Sequence, residues 1–232
     1  MITVRPSSQR FARRSPNQQL FFSFYGARLE EPLATGFGCM KVLNEYWLAP
    51  GQSLPDYPHH QRNELLMYVH EGLLTFKDQK GLVGTLSIGE FARLGLVKGR
   101  RELPFTVLGP IWAHVFEMGF QVELEPTQLQ YDQRRFSMAE RSGALKLIAA
   151  NDAPAALGLS SCAWFYSAVL QRGKHIILEL SPEQNAWFHL VQGRANVAGH
   201  ELRTGDGAGL TQERAFSCTA VTCCELLLAV IG

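Results

Sequence analysis

Ten residues, PDYPHHQRNE from Pro55 to Glu64, bring together a tyrosine, two adjacent histidines and a glutamate. Imidazole nitrogens and carboxylate oxygens are metal donors, so the stretch raises a metal site. A strand that offers two ligands to one ion must space them two apart, because successive side chains point to opposite faces. In Tyr57-Pro58-His59-His60 the two such pairs are Tyr57 with His59 and Pro58 with His60, and each holds one imidazole. A bulge would let His59 and His60 act together. A second pair of donors is needed further on, and KGRRELPF (98–105) offers Arg100, Arg101 and Glu102. A guanidinium stays protonated and has no lone pair to give. Glu64 lies further along the first segment, and the residue types alone leave the ligand set open between His59 and His60 and the later acid Glu102. His114, in WAHVF, sits in an apolar run and reads as a barrel histidine at the edge of a pocket rather than a ligand.

The elements that must position these residues are short apolar runs broken by Gly, Pro and Asn. In the first half they are 39–50, 64–72, 73–78, 84–95 and 110–120; in the second, 163–170, 175–180, 186–193, 194–199 and 225–231. A turn signal about every ten residues indicates an all-β sandwich or barrel. No amphipathic helical period persists, so helices should be few and short. LLMYVHEGLLTFKD in the first half resembles WFHLVQGRANVAG in the second, each a strand, a glycine and a short strand. Such a repeat predicts two copies of one β-barrel unit. The strand rhythm fades between Tyr131 and Leu157. The domains expected are 1–136 and 137–232, with the short link favouring two barrels packed on each other.

The bulk composition narrows the classes of function. Of 232 residues, 46% are apolar and 19% charged, and the formal net charge is +1. Nothing in that balance draws the chain to nucleic acid or a membrane surface. The five cysteines include no C-x-x-C pair, which fits a reducing compartment and buried thiols. Neighbouring Cys223 and Cys224 on one strand should face opposite ways. No run reaches the roughly 18 apolar residues of a membrane span, and the start has no apolar signal core. A cytoplasmic protein is expected.

The residues resemble the pirin family, cytoplasmic two-barrel members of the cupin superfamily. The resemblance covers nearly the whole chain. FFSFYG (21–26) is similar to the family's N-terminal segment, and GFGCMKVLNEYWLAPGQ (36–52) to its first long strand and turn. YPHHQRNELLMYVHEG (57–72) matches the metal-binding strand pair, LSIGEFARL (86–94) the turn of the second cupin motif, and YDQRRF (131–136) the junction signature. The resemblance implies two tandem cupin barrels, one iron-like divalent ion in the N-terminal barrel, and none in the C-terminal barrel. The family's His-x-His falls on Tyr57 and His59, or on Pro58 and His60 in the alternative register. Its later His-x-Glu falls on Arg100 and Glu102. One histidine and one glutamate of four ligands remain.

That departure predicts a degenerate site, with His59 and Glu102 as its metal ligands only if it works at all. At about 4 Å and an effective dielectric of about 20, a dication beside the Arg100 guanidinium meets about 8 kcal/mol of repulsion. Arg100 in the metal's place, paired with Glu102 or Glu64, is the more economical arrangement. The expected protein is a metal-free or weakly metal-binding bicupin that binds an anionic or phenolic small molecule, or acts through a regulatory protein partner. Its pocket would draw on Tyr57, His59, His60, Glu64, Met67, Phe91, Arg100, Glu102, Phe105 and His114. The alternative is a metal-dependent quercetin 2,3-dioxygenase-like enzyme, with Glu64 or Glu102 as its base.

Overall fold

The computed structural model describes residues 1–24, 33–55, 63–77, 81, 83–95, 103–123 and 130–232. The first half supplies β1 (Ile2–Arg5), β2 (Phe11–Ser15), β3 (Gln18–Phe22), β4 (Met40–Leu48), β5 (Asn63–Glu71), β6 (Leu73–Lys77), β7 (Val83–Ser87), β8 (Glu90–Gly95), β9 (Phe105–Val107), β10 (Ala113–Gln121) and β11 (Gln130–Arg135). The second supplies α1 (Met138–Arg141), then β12 (Lys146–Ala150), β13 (Leu157–Gly158), β14 (Ala163–Leu170), β15 (His175–Glu179), β16 (Asn185–Gln192), β17 (Arg194–Val197), β18 (His200–Arg203), β19 (Gly207–Leu210), β20 (Ala215–Ala220) and β21 (Cys224–Ile231). The fold is all-β, as the apolar rhythm predicts. Among the described residues, one four-residue helix and a 3-10 turn at Ser7–Gln9 stand beside the strands. The helix begins with a capping box, in which Ser137 and Glu140 satisfy each other's exposed backbone donors.

The chain forms two compact units. One comprises Phe11–Phe136 with Leu159–Ser161; the other comprises Met1–Arg10, Ser137–Gly158 and Cys162–Gly232. In the first, a seven-stranded sheet runs β11-β8-β5-β10-β4-β3-β2, and a three-stranded sheet runs β7-β6-β9. Their facing residues make one apolar core, from Leu65, Met67, Val69, Ala113 and Val115 on the large sheet to Leu74, Phe76, Leu86 and Phe105 on the small one. In the second, the sheets run β1-β19-β16-β21-β14-β12-β13 and β15-β20-β17-β18 around Phe188, Leu190, Val197, Phe216 and Leu228. The first strand of the chain is thus an edge strand of the C-terminal unit, with Ile2 opposite Leu210.

The internal repeat has a physical counterpart at two glycines. Gly72 turns β5 into β6 with φ +85°, and a Cβ there would lie 2.7 Å from the Cα of Ala113. Gly193 turns β16 into β17 with φ +92°, and its Cβ would lie 2.3 Å from the carbonyl oxygen of Cys223. Each glycine sits beside a register shift, between His114 and Val115 in one unit and between Leu190 and Gln192 in the other. Only glycine takes a left-handed backbone and so close an approach without strain.

Candidate functional site

The N-terminal core divides β5, β4 and β10 into an inner and an outer face. On β5, Leu65, Met67 and Val69 face the core, so Glu64, Leu66 and Tyr68 face outward. On β10, Ala113 and Val115 face the core, and Glu117 continues that inner row. On β4, Tyr46 and Leu48 do the same, with Asn44 one step further along.

The inner row carries a polar cluster inside an apolar barrel. Glu117 is 0% exposed. Tyr46 Oη donates to Glu117 Oε2 at 2.6 Å. Asn44 Nδ2 donates to the same carboxylate oxygen at 3.3 Å and to Tyr46 Oη at 2.8 Å. A buried carboxylate needs such donors, and hydrogen bonds to a charged acceptor are shorter and stronger than neutral ones. Around it stand Met67, which is opposite Glu117 in register, and Ala92 and Val115. The sequence reading missed this residue. Its signal was a single acid in the otherwise apolar run AHVFEMGF, two positions after Val115.

Glu64 lies on the outer face, buried to 1% exposure. Its Oε1 accepts from the backbone N–H of Ser160 and of Ser161, both at 2.8 Å. Its Oε2 accepts from Arg93 Nε at 3.2 Å, and Arg93 Nη2 lies 3.2 Å from the same oxygen. Arg93 Nη2 also donates to Ser160 Oγ at 3.0 Å. The carboxylate therefore holds the Leu159–Ser161 segment to β5 and β8.

His114 lies outward as well, 2% exposed. Its Nε2 donates to Glu45 Oε1 at 2.8 Å, and Trp47 Nε1 donates to the same oxygen at 3.2 Å. The Trp47 and His114 rings stack at 3.8 Å, and His70 stands edge-on to His114 at 5.1 Å. Burial lowers the His114 pKa below its ordinary 6.5, against the pull of the Glu45 hydrogen bond and charge. Of the apolar pocket residues expected, Met67 and Phe105 are in the inner core. Phe91 instead stacks outward on Tyr68 at 4.3 Å.

Tyr57, His59, His60, Arg100 and Glu102 lie outside the described residues. The strands that flank them in the chain, β5 and β8, pair with each other. The segment with Tyr57, His59 and His60 leads into β5 at Asn63, and the segment with Arg100 and Glu102 follows β8 at Gly95. Glu64 pairs with Gly95 across the two strands. Among the described residues no three His, Cys, Asp or Glu side chains are grouped as a metal would need.

A family model described as the quercetinase C-terminal cupin domain matches residues 147–229. The quercetin 2,3-dioxygenase of Escherichia coli strain K12 is 24% identical over 229 residues, 98% of this chain and 97% of that protein. A pirin-like protein of Caulobacter vibrioides is 26% identical over 209 residues, 89% of this chain and 88% of its own length. The crystal structure of the bacterial pirin YhhW in complex with nickel(II), from E. coli, superposes with a TM-score of 0.86 at 24% identity. That match covers 100% of this chain and 99% of the other. The chain has the two-barrel fold of the bacterial pirin, and its relatives are pirin-like and quercetin 2,3-dioxygenase-like proteins.

Within the pirin frame, the four ligand positions carry Tyr57 or Pro58, His59 or His60, Arg100 and Glu102. If these residues take the ligand positions, the set offers a divalent ion at most one imidazole and one carboxylate beside a tyrosine or proline and an arginine. Imidazoles normally anchor such a site, and one of the four positions brings a fixed positive charge instead. Glu64 does not make up the number, since three backbone and guanidinium donors already hold its carboxylate on the outer face.

The cysteines show no redox pairing. Cys218 and Cys224 are buried, and burial pushes their thiols up to about 12 and about 11. A thiol held protonated in this way is inert. Cys223 is exposed in the bend before β21, and Cys224 is the first residue of that strand, so the two do not share a strand as the sequence suggests. No helix among the described residues is long and apolar enough to cross a membrane.

Proposed function

We propose that the protein is a metal-free, or at most weakly metal-binding, cytoplasmic small-molecule-binding bicupin whose N-terminal barrel receives a phenolic or anionic ligand. The observation that carries this reading is the Glu64–Gly95 rung. The strands next to both segments that resemble the pirin ligand positions pair there, and the sequence has Arg100 where the family has an imidazole. Arg100 supplies a planar fork of donors for a carboxylate or phenolate, and His59 or His60 with Tyr57 supplies further hydrogen bonds. Glu102 balances the guanidinium when no ligand is bound. Signalling through a protein partner would follow from ligand occupancy. The test is a titration of the purified protein with benzoate and with quercetin, followed by intrinsic tryptophan fluorescence, in the wild type and in Arg100→Met. Saturable binding that weakens at least tenfold in the variant supports the reading. Affinities that Arg100→Met leaves unchanged would contradict it.

A second reading is favoured by the names of the relatives: a metal-dependent quercetin 2,3-dioxygenase. It is supported by the quercetin 2,3-dioxygenase relative and by the nickel(II) complex of the bacterial pirin. Quercetin consumption that requires added metal and stops with a chelator would establish it in place of the first.

A further inference from the structure

The small sheet of the C-terminal unit runs β15-β20-β17-β18, so among the described residues β15 is an edge strand with one neighbour. Its backbone groups alternate in direction. Leu180 N–H donates to the Arg214 carbonyl, and Lys174 C=O accepts from Ala220 N–H, in the register that sets Ile177 opposite Ser217. The even-numbered residues therefore bond β20, and His175, Ile177 and Glu179 turn their N–H and C=O groups to the outer edge. The same three residues have exposed side chains, while Ile176 is buried and Leu178 half-buried. Ile177, at the centre, is 61% exposed. Edge strands are usually blunted by charge. β2 with Arg13 and Arg14, β11 with Asp132, Arg134 and Arg135, and β18 with His200, Glu201 and Arg203 follow that rule. β15 instead sets an isoleucine between a histidine and a glutamate.

We propose that β15 is a self-association edge, to which a second copy of this chain adds its own β15, antiparallel, about a two-fold axis at Ile177. Pairing centred there sets Ile177 against the partner's Ile177, and His175 against the partner's Glu179 on each side. These are the residues whose backbone groups face the edge, so each such pair can exchange both of its N–H···O=C bonds. The order of side chains is self-complementary, since a reversed copy of the strand presents a carboxylate to each imidazole. Thr219 Oγ1 lies 2.7 Å from His175 Nδ1 and orients the ring, so that Nε2 is the atom to meet that carboxylate. On the other face, half-buried Leu178 meets the partner's Ile176. An isologous contact closes after two copies, so it gives dimers rather than fibres. A strand of five residues buries less than a standard interface, which makes the dimer weak and concentration-dependent. The proposal is independent of the ligand reading, since it involves nothing in the N-terminal barrel.

The test is sedimentation velocity of the purified protein from micromolar to millimolar concentration, with a thermal melt of each variant. Ile177→Pro removes an N–H that β20 does not use, so the unit should fold while dimerisation weakens at least tenfold. Ile177→Lys removes the central apolar contact and sets two ammonium groups beside the axis, with the same expected result. His175→Glu places like charges opposite each other and should also weaken the dimer, and the exchanged pair His175→Glu with Glu179→His should restore it. If Ile177→Pro fails to fold, Ile177→Lys decides. A wild type that stays monomeric to millimolar concentration would overturn the proposal, as would a dimer that the folded Ile177 variants leave unchanged.

Discussion

Glu64 Oε1 accepts a 2.8 Å hydrogen bond from the backbone N–H of Ser161, 97 residues later in the chain. With the matching bond to Ser160 and the pair with Arg93, this makes Glu64 a clasp on the outer face of the N-terminal barrel. A glutamate that follows two histidines invites a ligand's role. Its surroundings give it a structural one.

Removing that carboxylate should loosen the Leu159–Ser161 segment. Glu64→Ala leaves two backbone donors and a largely buried guanidinium without their acceptor, and should cost about 3 kcal/mol. Glu64→Gln, which keeps one acceptor oxygen, should cost about half as much. Urea unfolding measures the loss, and hydrogen exchange at the Ser160 and Ser161 amides should speed up in both variants. Unchanged exchange would show that the clasp holds nothing.

His114 makes stability depend on pH. Burial lowers its folded-state pKa below the 6.5 of the unfolded chain, so the folded state binds fewer protons near neutrality. Its contribution is present above pH 6.5 and is lost as the pH falls below 6.5 toward the folded value. The urea midpoint should therefore drop between pH 7.5 and pH 5 more steeply in the wild type than in His114→Gln. Equal slopes would mean that another group governs the acid limb.

The two turn glycines should be less replaceable than others with similar φ. Gly72→Ala meets both a left-handed backbone and Ala113 at 2.7 Å, and should cost about 3 kcal/mol or more. Gly51 has φ +76° and nothing within 4 Å of an added Cβ, so Gly51→Ala should cost only about 1 kcal/mol. The difference in melting temperature between the two variants reads the steric part alone.

Thiol labelling should divide the cysteines by burial. Iodoacetamide should modify exposed Cys162 and Cys223 in the native protein, while buried Cys218 and Cys224 react only after unfolding. Mass spectrometry of labelled peptides checks this. Native labelling of Cys218 would contradict its burial.

The strands were legible because Gly, Pro and Asn punctuate apolar runs at a steady interval, and because the Gly72 and Gly193 turns repeat one local pattern. Which face of a strand is inner was not. In ELLMYVHE both faces are mainly apolar, since each packs against something, so alternation cannot say whether Glu64 or Leu65 points into the barrel. His114 and Phe91 were expected at a pocket for the same reason, and they lie on the outer face. Glu117 was hidden by its setting, because an acid inside an apolar run looks like an interruption until its donors, Tyr46 and Asn44, are brought opposite it by the pairing of β10 with β4. Nothing local in MITVRPSSQR indicates that Ile2–Arg5 will pair with Gly207–Leu210, because that contact is set by the far end of the chain.

In the reading proposed above, this chain recognises its ligand directly, without a metal. The most direct measurement is the metal content of protein purified without a chelating tag, by elemental mass spectrometry, before and after incubation with ferrous, manganous and nickel ions. On that reading, far less than one equivalent is expected in every case. Near one equivalent of any of the three would contradict it, and would mean that a metal centre is assembled from the Tyr57–His60 and Arg100–Glu102 segments after all.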